Sequence, residues 1–329
     1  IGNYHGTSSE YITVLEGIRE EAGDDVRILY SQGCDLYKDK VENLAWDQDR
    51  ISEAVITAEN SDVVILCVGL DETLEGEEGD TGNSDASGDK VDLHLPKVQE
   101  ELIEKVTAVG KPTIVVLMAG SAIDLNYAQD NCNGILLAWY PGARGGRAIA
   151  DLLFGKESPS GKLPITFYKD LEGMPEFTDY SMKNRTYRYM EKEALYPFGY
   201  GLTYSDTCVT EAEVVGEVSA ESDIMLKATV KNNGTVDTDE VVQVYIKDLD
   251  SPLAVRNYSL CGFKRVSLKA GEEKSVEFTI SNKAMNIVDE DGNRYIAGKH
   301  FRLFAGVSQP DTRSAELTGH KPAEVEIAL

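Results

Sequence analysis

The spacing of apolar residues changes in kind near Ser158, so the two halves of this chain cannot share one fold. Before that point, helical patterns alternate with short, continuous apolar runs at 62–69, 112–118 and 134–140. Continuous apolar strands between helices indicate a parallel sheet that is covered on both faces. Ligands of such sheets bind beyond the carboxyl ends of the strands. The loops that follow Gly69, Met118 and Tyr140 are therefore the first places to look for function.

The second half follows a different rule, in which apolar and polar residues alternate. Examples are 224–230 and 240–246, and turn signals such as Asn232-Asn233-Gly234 separate such runs. Several short strands of this kind predict a β-sandwich. The patterns together predict an α/β domain over residues 1–168, an ordered, aromatic-rich connector over 169–210 and an all-β domain over 211–329.

Charge and hydropathy exclude two classes of partner. The chain has 329 residues and a formal net charge of −25, so it repels nucleic acid and anionic membrane surfaces. It contains no apolar stretch long enough to span a bilayer. Neutral substrates such as sugars remain open.

The cysteines bear on the cellular compartment of the chain, and its first residue bears on whether it was cut from a longer precursor. The five cysteines are odd in number and form no C-x-x-C pair, which favours free thiols and a reducing, cytoplasmic compartment. The chain begins at Ile1 without a methionine or an apolar signal region, and we expect it to be a piece of a longer precursor or a cleavage product.

Carboxylates crowd the loop that follows the strand ending at Gly69. Within ten residues it carries Asp71, Glu72, Glu75, Glu77, Glu78 and Asp80. Like charges packed together raise the pKa of at least one member, and a carboxylic acid that stays protonated near neutral pH can donate a proton to a leaving oxygen. A solvated acidic loop and a divalent cation site are the alternatives, although the spacing does not match an EF-hand.

Other candidate motifs carry less chemistry. The glycine-rich segment 140–147 joins a strand to a helix but lacks P-loop and dinucleotide-binding spacings, so close packing of the helix against the sheet explains it better than phosphate binding. Ser121 has no G-x-S-x-G context, and the four histidines have no metal-ligand spacing. We therefore expect no cofactor and no metal.

Read together, several segments resemble glycoside hydrolase family 3. They are Gly2-Asn3-Tyr4-His5-Gly6, the 75–80 loop followed by Asp92-Leu93-His94-Leu95-Pro96-Lys97-Val98-Gln99, the run 138–146, Pro159-Ser160-Gly161-Lys162-Leu163-Pro164, Arg185-Thr186-Tyr187-Arg188-Tyr189 and 196–204. The resemblance covers nearly the whole chain. It implies a six-stranded, mostly parallel α/β sandwich followed by an all-β fibronectin type III-like sandwich.

The resemblance also implies a retaining glycosidase mechanism, in which an aspartate attacks the anomeric carbon and a glutamate serves as acid and then as base. The family's acid lies in a Glu-x-Glu-Gly-x-Asp-Arg pattern, three residues before the aspartate. Aligning on Asp80 assigns that role to Glu77. Glu78 stands where the pattern has glycine and Thr81 where it has arginine, so Glu75 and Glu78 stay open as alternatives.

The family's nucleophile lies on a separate (β/α)8 barrel domain, and no segment here matches its motif. The resemblance therefore predicts a composite active site, in which a barrel-bearing chain or segment supplies the nucleophile. The predicted substrate is a β-linked glycoside or oligosaccharide, a glucoside or a xyloside, cleaved by an exo-acting β-glycosidase. A non-catalytic carbohydrate-binding module and a β-glycoside phosphorylase on the same scaffold are the alternatives.

Overall fold

The computed structural model describes residues 1–46, 48–76 and 90–329. They form two compact units. The first comprises Ile1–Glu157 with Lys169–Leu171, and the second comprises Ser158–Tyr168 with Glu172–Leu329. Most of the segment 169–210, predicted as a connector, thus belongs to the second unit.

The first unit alternates helices and strands along the chain. Its elements are α1 (Val14–Glu21), α2 (Asp49–Glu59), β1 (Val64–Gly69), α3 (Lys97–Thr107), β2 (Thr113–Met118), α4 (Asn126–Asn131), β3 (Gly134–Leu137) and α5 (Gly145–Leu153). The strands pair in parallel in the order β1–β2–β3. The predicted α/β class with a parallel sheet is confirmed.

The middle strand forms the centre of this unit. Val115, Val116 and Leu117 of β2 have no exposed surface. A strand that lies between two neighbours and is covered on both faces must be apolar at successive positions, because both of its faces are buried. This explains why the run 112–118 shows no alternation.

Helix α1 begins where a capping box allows it. The Thr13 hydroxyl accepts a hydrogen bond from the Glu16 N–H at 3.2 Å, and the Glu16 carboxylate accepts one from the Thr13 N–H at 2.8 Å. The two contacts satisfy donors that a helix N-terminus otherwise leaves open. The helix therefore starts at Val14, later than the apolar spacing from Ser9 suggests.

Two glycines let α1 and α5 approach each other closely. A Cβ atom at Gly17 would lie 2.1 Å from the Gly146 carbonyl oxygen, and one at Gly146 would lie 2.0 Å from the Thr13 carbonyl oxygen. The packing explanation for the glycine-rich segment therefore holds at Gly146, but the tight contact is with a neighbouring helix rather than with the sheet.

The predicted strand over 26–30 is absent from the structure. Among the described residues β1 pairs with β2 alone, and segment 26–30 has no regular strand. The side chains of Val26 and Tyr30 are exposed. An apolar run gains little from pairing when its side chains find no covering layer, and the sequence pattern alone cannot show that.

The second unit is antiparallel. After a short helix α6 (Thr186–Tyr189) come β4 (Thr207–Val215), β5 (Ile224–Asn232), β6 (Thr238–Asp248), β7 (Ser259–Leu268), β8 (Glu273–Ile280), β9 (Asn286–Val288), β10 (Arg294–Ile296), β11 (His300–Gly306), α7 (Thr312–Thr318) and β12 (Ala323–Ala328). Four strands pair in the order β12–β11–β6–β7, three in the order β4–β5–β8, and β9 pairs with β10.

The core of this unit lies on alternate residues of its strands, as the period-two pattern predicts. Along β5, Ile224, Leu226, Ala228 and Val230 are buried, while the residues between them are more accessible. They pack with buried residues of β6, β8 and β11 in one hydrophobic cluster. The predicted β-sandwich is therefore confirmed.

Aromatic side chains fix the segment that precedes the sandwich. The rings of Tyr187 and Phe198 stack with their centroids 4.2 Å apart, and both lie edge-on to the buried ring of Tyr245. The Tyr187 hydroxyl accepts a hydrogen bond from the Leu260 N–H at 3.0 Å. These contacts attach residues 187 and 198 of the aromatic-rich segment to the second unit.

A buried ion pair ties the Pro159–Pro164 motif to β6. The Lys162 ammonium lies 2.8 Å from a Glu240 oxygen, and their side chains are only 8% and 2% exposed. Lys162 also donates to the Gly201 carbonyl at 2.6 Å, and Glu240 accepts from the Thr207 hydroxyl at 2.5 Å. Each charge therefore has further polar partners, which a buried pair needs in order to offset its loss of hydration.

The five cysteines, Cys34, Cys67, Cys132, Cys208 and Cys261, are free thiols. Burial raises the pKa of Cys34 to about 11 and that of Cys261 to about 12. Both thiols therefore stay protonated at neutral pH, and a thiol is a poor nucleophile in that form. Within the described ranges, no helix combines the length and the apolar character that crossing a bilayer requires.

Candidate active site

The candidate site lies at the carboxyl end of the parallel sheet of the first unit. The register places Gly69 of β1 opposite Met118 of β2, and Leu117 opposite Leu137 of β3. All three strands therefore end at the same edge, and the loops that follow them meet there. This is the edge at which open α/β sheets bind ligands.

The end of β1 is held by a buried glutamine. The Gly69 N–H donates to Gln99 Oε1 at 2.8 Å, and Gln99 Nε2 donates to the Gly69 carbonyl at 2.8 Å and to the Leu36 carbonyl at 2.7 Å. Gln99 lies in the first turn of α3, close after Pro96. The motif Leu95–Gln99 thus fixes the point at which the acidic loop leaves the sheet.

Gly69 must be a glycine. Its φ of +149° is rarely adopted by other residues, and a Cβ atom there would lie 1.9 Å from the Met118 carbonyl oxygen. Only a residue without a side chain lets β1 pass this close to the end of β2.

We expect replacement of Gln99 by leucine to lower the free energy of unfolding of the first unit by about 3 kcal/mol, because buried backbone groups lose their partners. Trp46 and Trp139 both lie in that unit, so tryptophan fluorescence during urea unfolding reports on it. Gln32→Leu, at an exposed position, is the control and should change stability by less than about 0.5 kcal/mol. Equal stabilities for the two variants would contradict the role given to Gln99.

A tight turn then presents Glu75. One carboxylate oxygen of Asp71 accepts hydrogen bonds from the N–H and the hydroxyl of Thr73, at 2.9 and 2.6 Å. The Asp71 carbonyl accepts from the N–H groups of Leu74 and Glu75. Asp71 therefore shapes the turn, and the turn aims Glu75 back towards the other strand ends.

Glu75 joins the three loops. Its Oε2 accepts a hydrogen bond from the Gly120 N–H at 2.7 Å and one from the Tyr140 hydroxyl at 2.5 Å. Gly120 follows β2 and Tyr140 follows β3. Burial, and next the hydrogen bond to Glu75, raise the pKa of Tyr140, so this phenol stays protonated and donates.

Backbone geometry directs Tyr140 to this place. Trp139 has a φ of +50°, a left-handed conformation that is rare for a bulky residue. Such a conformation costs about 1–3 kcal/mol and persists only where the surroundings enforce it. Trp139 lies two residues after β3 and immediately before Tyr140, so its conformation sets the direction in which the chain enters residue 140.

The N-terminal motif lies at the same edge. A Cβ atom at Gly2 would lie 2.5 Å from the Tyr140 ring, so Gly2 packs directly on that ring. The His5 Nε2 lies 3.6 Å from a carboxylate oxygen of Glu72. Between them, Tyr4 is 81% exposed. The structure thus brings segment 2–6 and the acidic loop together, although some 70 residues separate them in sequence.

The side chain of Lys90 also lies at this edge of the sheet. Its ammonium donates to the Ala122 carbonyl at 2.8 Å. Burial lowers the pKa of Lys90, although the negative charges of Glu75 and Asp92 act in the opposite direction. Lys90 is therefore a partly buried cation close to the carboxylate of Glu75.

The predicted catalytic residue Glu77 and its alternative Glu78 lie outside the described residues. Of the three candidates the structure describes Glu75, whose Oε2 is already occupied by two donors. The sequence analysis missed Tyr140 as a site residue, because it took Tyr140 as the last residue of the third strand. In the structure β3 ends at Leu137, and Tyr140 lies in the loop that follows. In the described part of the chain, no three His, Cys, Asp or Glu side chains are grouped as metal ligands would be.

Comparison with known proteins finds two domain matches along the chain. Residues 1–204 match the glycosyl hydrolase family 3 C-terminal domain, and residues 240–309 match a fibronectin type III-like domain. A β-xylosidase of Formosa agariphila is 34% identical over 97% of this chain, and a xylan 1,4-β-xylosidase of Xylanibacter ruminicola is 39% identical over 81%.

Solved structures agree. A β-glucosidase from Erythrobacter marinus superposes on the whole chain with a TM-score of 0.82 and 30% identity, and a family 3 β-glucosidase from Bifidobacterium adolescentis does so with 0.82 and 28%. This chain spans 44% and 47% of those two chains, and 43% and 31% of the two xylosidases. The chain belongs to glycoside hydrolase family 3, of which it carries the C-terminal α/β domain and the fibronectin type III-like domain.

Proposed function

We propose that this chain supplies the general acid/base of a retaining exo-β-glycosidase, and that Glu77 is that residue. The nucleophilic aspartate comes from a (β/α)8 barrel part. A barrel takes roughly 250 residues, and the two matched domains occupy most of this chain. The relatives named β-xylosidase and β-glucosidase, of which this chain spans less than half, support such a division.

The anchoring of Glu75 at the carboxyl end of the sheet is the observation that carries this assignment. Glu77 follows Glu75 by two residues in the sequence, so the proposal takes the anchored Glu75 as the support of the acid/base. The Oε2 of Glu75 accepts from both Gly120 and Tyr140, which leaves this oxygen unsuited to protonating a leaving group. Because these two donors hold Glu75 on the strand ends, we assign it the supporting role and Glu77 the reacting one, with Glu75 and Glu78 as the alternatives for the acid.

The reaction proceeds in two steps. The barrel aspartate attacks the anomeric carbon while Glu77 gives its proton to the departing glycosidic oxygen, and a covalent glycosyl-enzyme forms. The Glu77 carboxylate then takes a proton from water, which attacks the same carbon and releases the sugar with its configuration retained. The two carboxyl groups must lie about 5–5.5 Å apart for this outcome.

The test is an assay of aryl β-xylosides and β-glucosides with this chain alone, with the barrel-bearing part alone, and with both in one assembly or one polypeptide. Hydrolysis only when both are present is the expected result. Activity in none of the samples would favour a non-catalytic carbohydrate-binding module. Formation of a sugar phosphate that depends on added phosphate would favour a phosphorylase on the same scaffold.

A further inference from the structure

We propose that Glu75, Tyr140 and Lys90 are positioning residues that hold both ends of the acid/base segment on the turn following β2. This inference rests on the proposed function, because it concerns how the acid is placed. It extends that function by assigning a task to three side chains that do not themselves react.

The first step of the argument concerns residue 75, just before the segment begins. Its carboxylate is bound by the Gly120 N–H on one side and by the Tyr140 hydroxyl on the other. Both donors belong to loops that leave neighbouring parallel strands. The anchor therefore consists of rigid sheet ends rather than of the loop itself.

The second step concerns residue 90, where the described chain resumes. The Lys90 ammonium binds the Ala122 carbonyl at 2.8 Å. Gly120 and Ala122 flank Ser121, and two residues of chain span at most about 7 Å. The side chains of Glu75 and Lys90 thus both bind backbone groups of the same three residues, 120–122.

The third step is the close fit around Tyr140. A Cβ atom at Gly120 would lie 2.8 Å from the Tyr140 ring and 3.2 Å from Glu75 Oε2, and a Cβ atom at Gly2 would also meet that ring. The ring thus fills a space with little freedom, so its hydroxyl donates from a fixed place. A small displacement of a catalytic group can cost a large factor in rate, and such a fixed donor prevents it.

The test is Tyr140→Phe in the complete enzyme that contains this chain. We expect kcat to fall about tenfold for glycosides with poor leaving groups, much less for dinitrophenyl glycosides, and KM to stay within about twofold. Glu75→Gln, which keeps an acceptor for both donors, should retain more activity than Glu75→Ala. A merely structural role would lower all rates equally and would not depend on the leaving group.

Tyr127→Phe is the matched control, because it removes a tyrosine hydroxyl of the same unit that contacts Thr107 instead. It should leave every rate unchanged. A Tyr140→Phe enzyme that behaves like this control would overturn the positioning role. The proposed function has a separate failure, namely a Glu77→Ala enzyme without any dependence on the leaving group.

Discussion

The Glu77→Ala enzyme is expected to hydrolyse glycosides with poor leaving groups about 10²- to 10⁴-fold more slowly than the unchanged enzyme, the range that general acid catalysis typically contributes. Dinitrophenyl glycosides should lose far less in the first step, because their leaving groups depart without a proton. Steady-state rates over a series of aryl glycosides, plotted against the pKa of the leaving group, measure the difference.

The pH dependence of kcat/KM in the Glu77→Ala enzyme is a second test of the same assignment. A general acid must be protonated to act, so its ionisation makes kcat/KM fall as the pH rises. That basic limb should vanish in the Glu77→Ala enzyme. Glu72→Ala, a change in the same acidic loop at a residue that contacts His5, is the matched control and should keep the limb. A basic limb that is retained in the Glu77→Ala enzyme would contradict the assignment of Glu77 as the general acid.

Breaking the buried ion pair of the second unit should have the largest effect on stability. Lys162→Met leaves Glu240 as an unpaired charge that is 2% exposed. Removing one partner of a buried pair costs about 3–5 kcal/mol, because the remaining charge keeps its desolvation penalty without compensation. Scanning calorimetry should show the loss in the transition of the second unit, while tryptophan fluorescence follows the first.

Two further variants show whether burial is the cause. Lys269→Met removes the partner of Asp237 at a similar distance, 2.7 Å, but these side chains are 78% and 57% exposed. Water and salt screen such a pair, so the loss of stability should be far smaller than that of Lys162→Met. The double variant Lys162→Met/Glu240→Gln carries no buried charge and should lose less than Lys162→Met alone. Equal losses for Lys162→Met and Lys269→Met would contradict this account.

The strands and helices of the first unit could be predicted because their signals are local. The apolar run that became β2 reflects burial on both faces, which makes successive residues apolar. In β1, Leu66 and Val68 are buried but Cys67 between them is exposed, so only part of that run is explained in this way. Segment 26–30 has the same local character, yet it forms no strand, since pairing depends on a partner and a covering layer elsewhere in the chain.

The sequence was enough to predict where the site lies, but not which side chains contact each other there. The rule for strand ends indicated the loops after Gly69, Met118 and Tyr140, and all three meet. The hydrogen bond from Tyr140 to Glu75 joins residues 65 apart, and it depends on strand order, on the left-handed turn at Trp139 and on the absence of a side chain at Gly120. None of these leaves a local pattern.

The most direct test of the acid/base assignment is the product that the Glu77→Ala enzyme forms from a dinitrophenyl β-glycoside in the presence of azide. Azide is a small anion that needs no general base, so it can attack the glycosyl-enzyme in the space left by the missing side chain. We predict faster turnover and a β-glycosyl azide, identified by NMR. An azide adduct from Glu75→Ala or Glu78→Ala, with none from Glu77→Ala, would contradict the assignment.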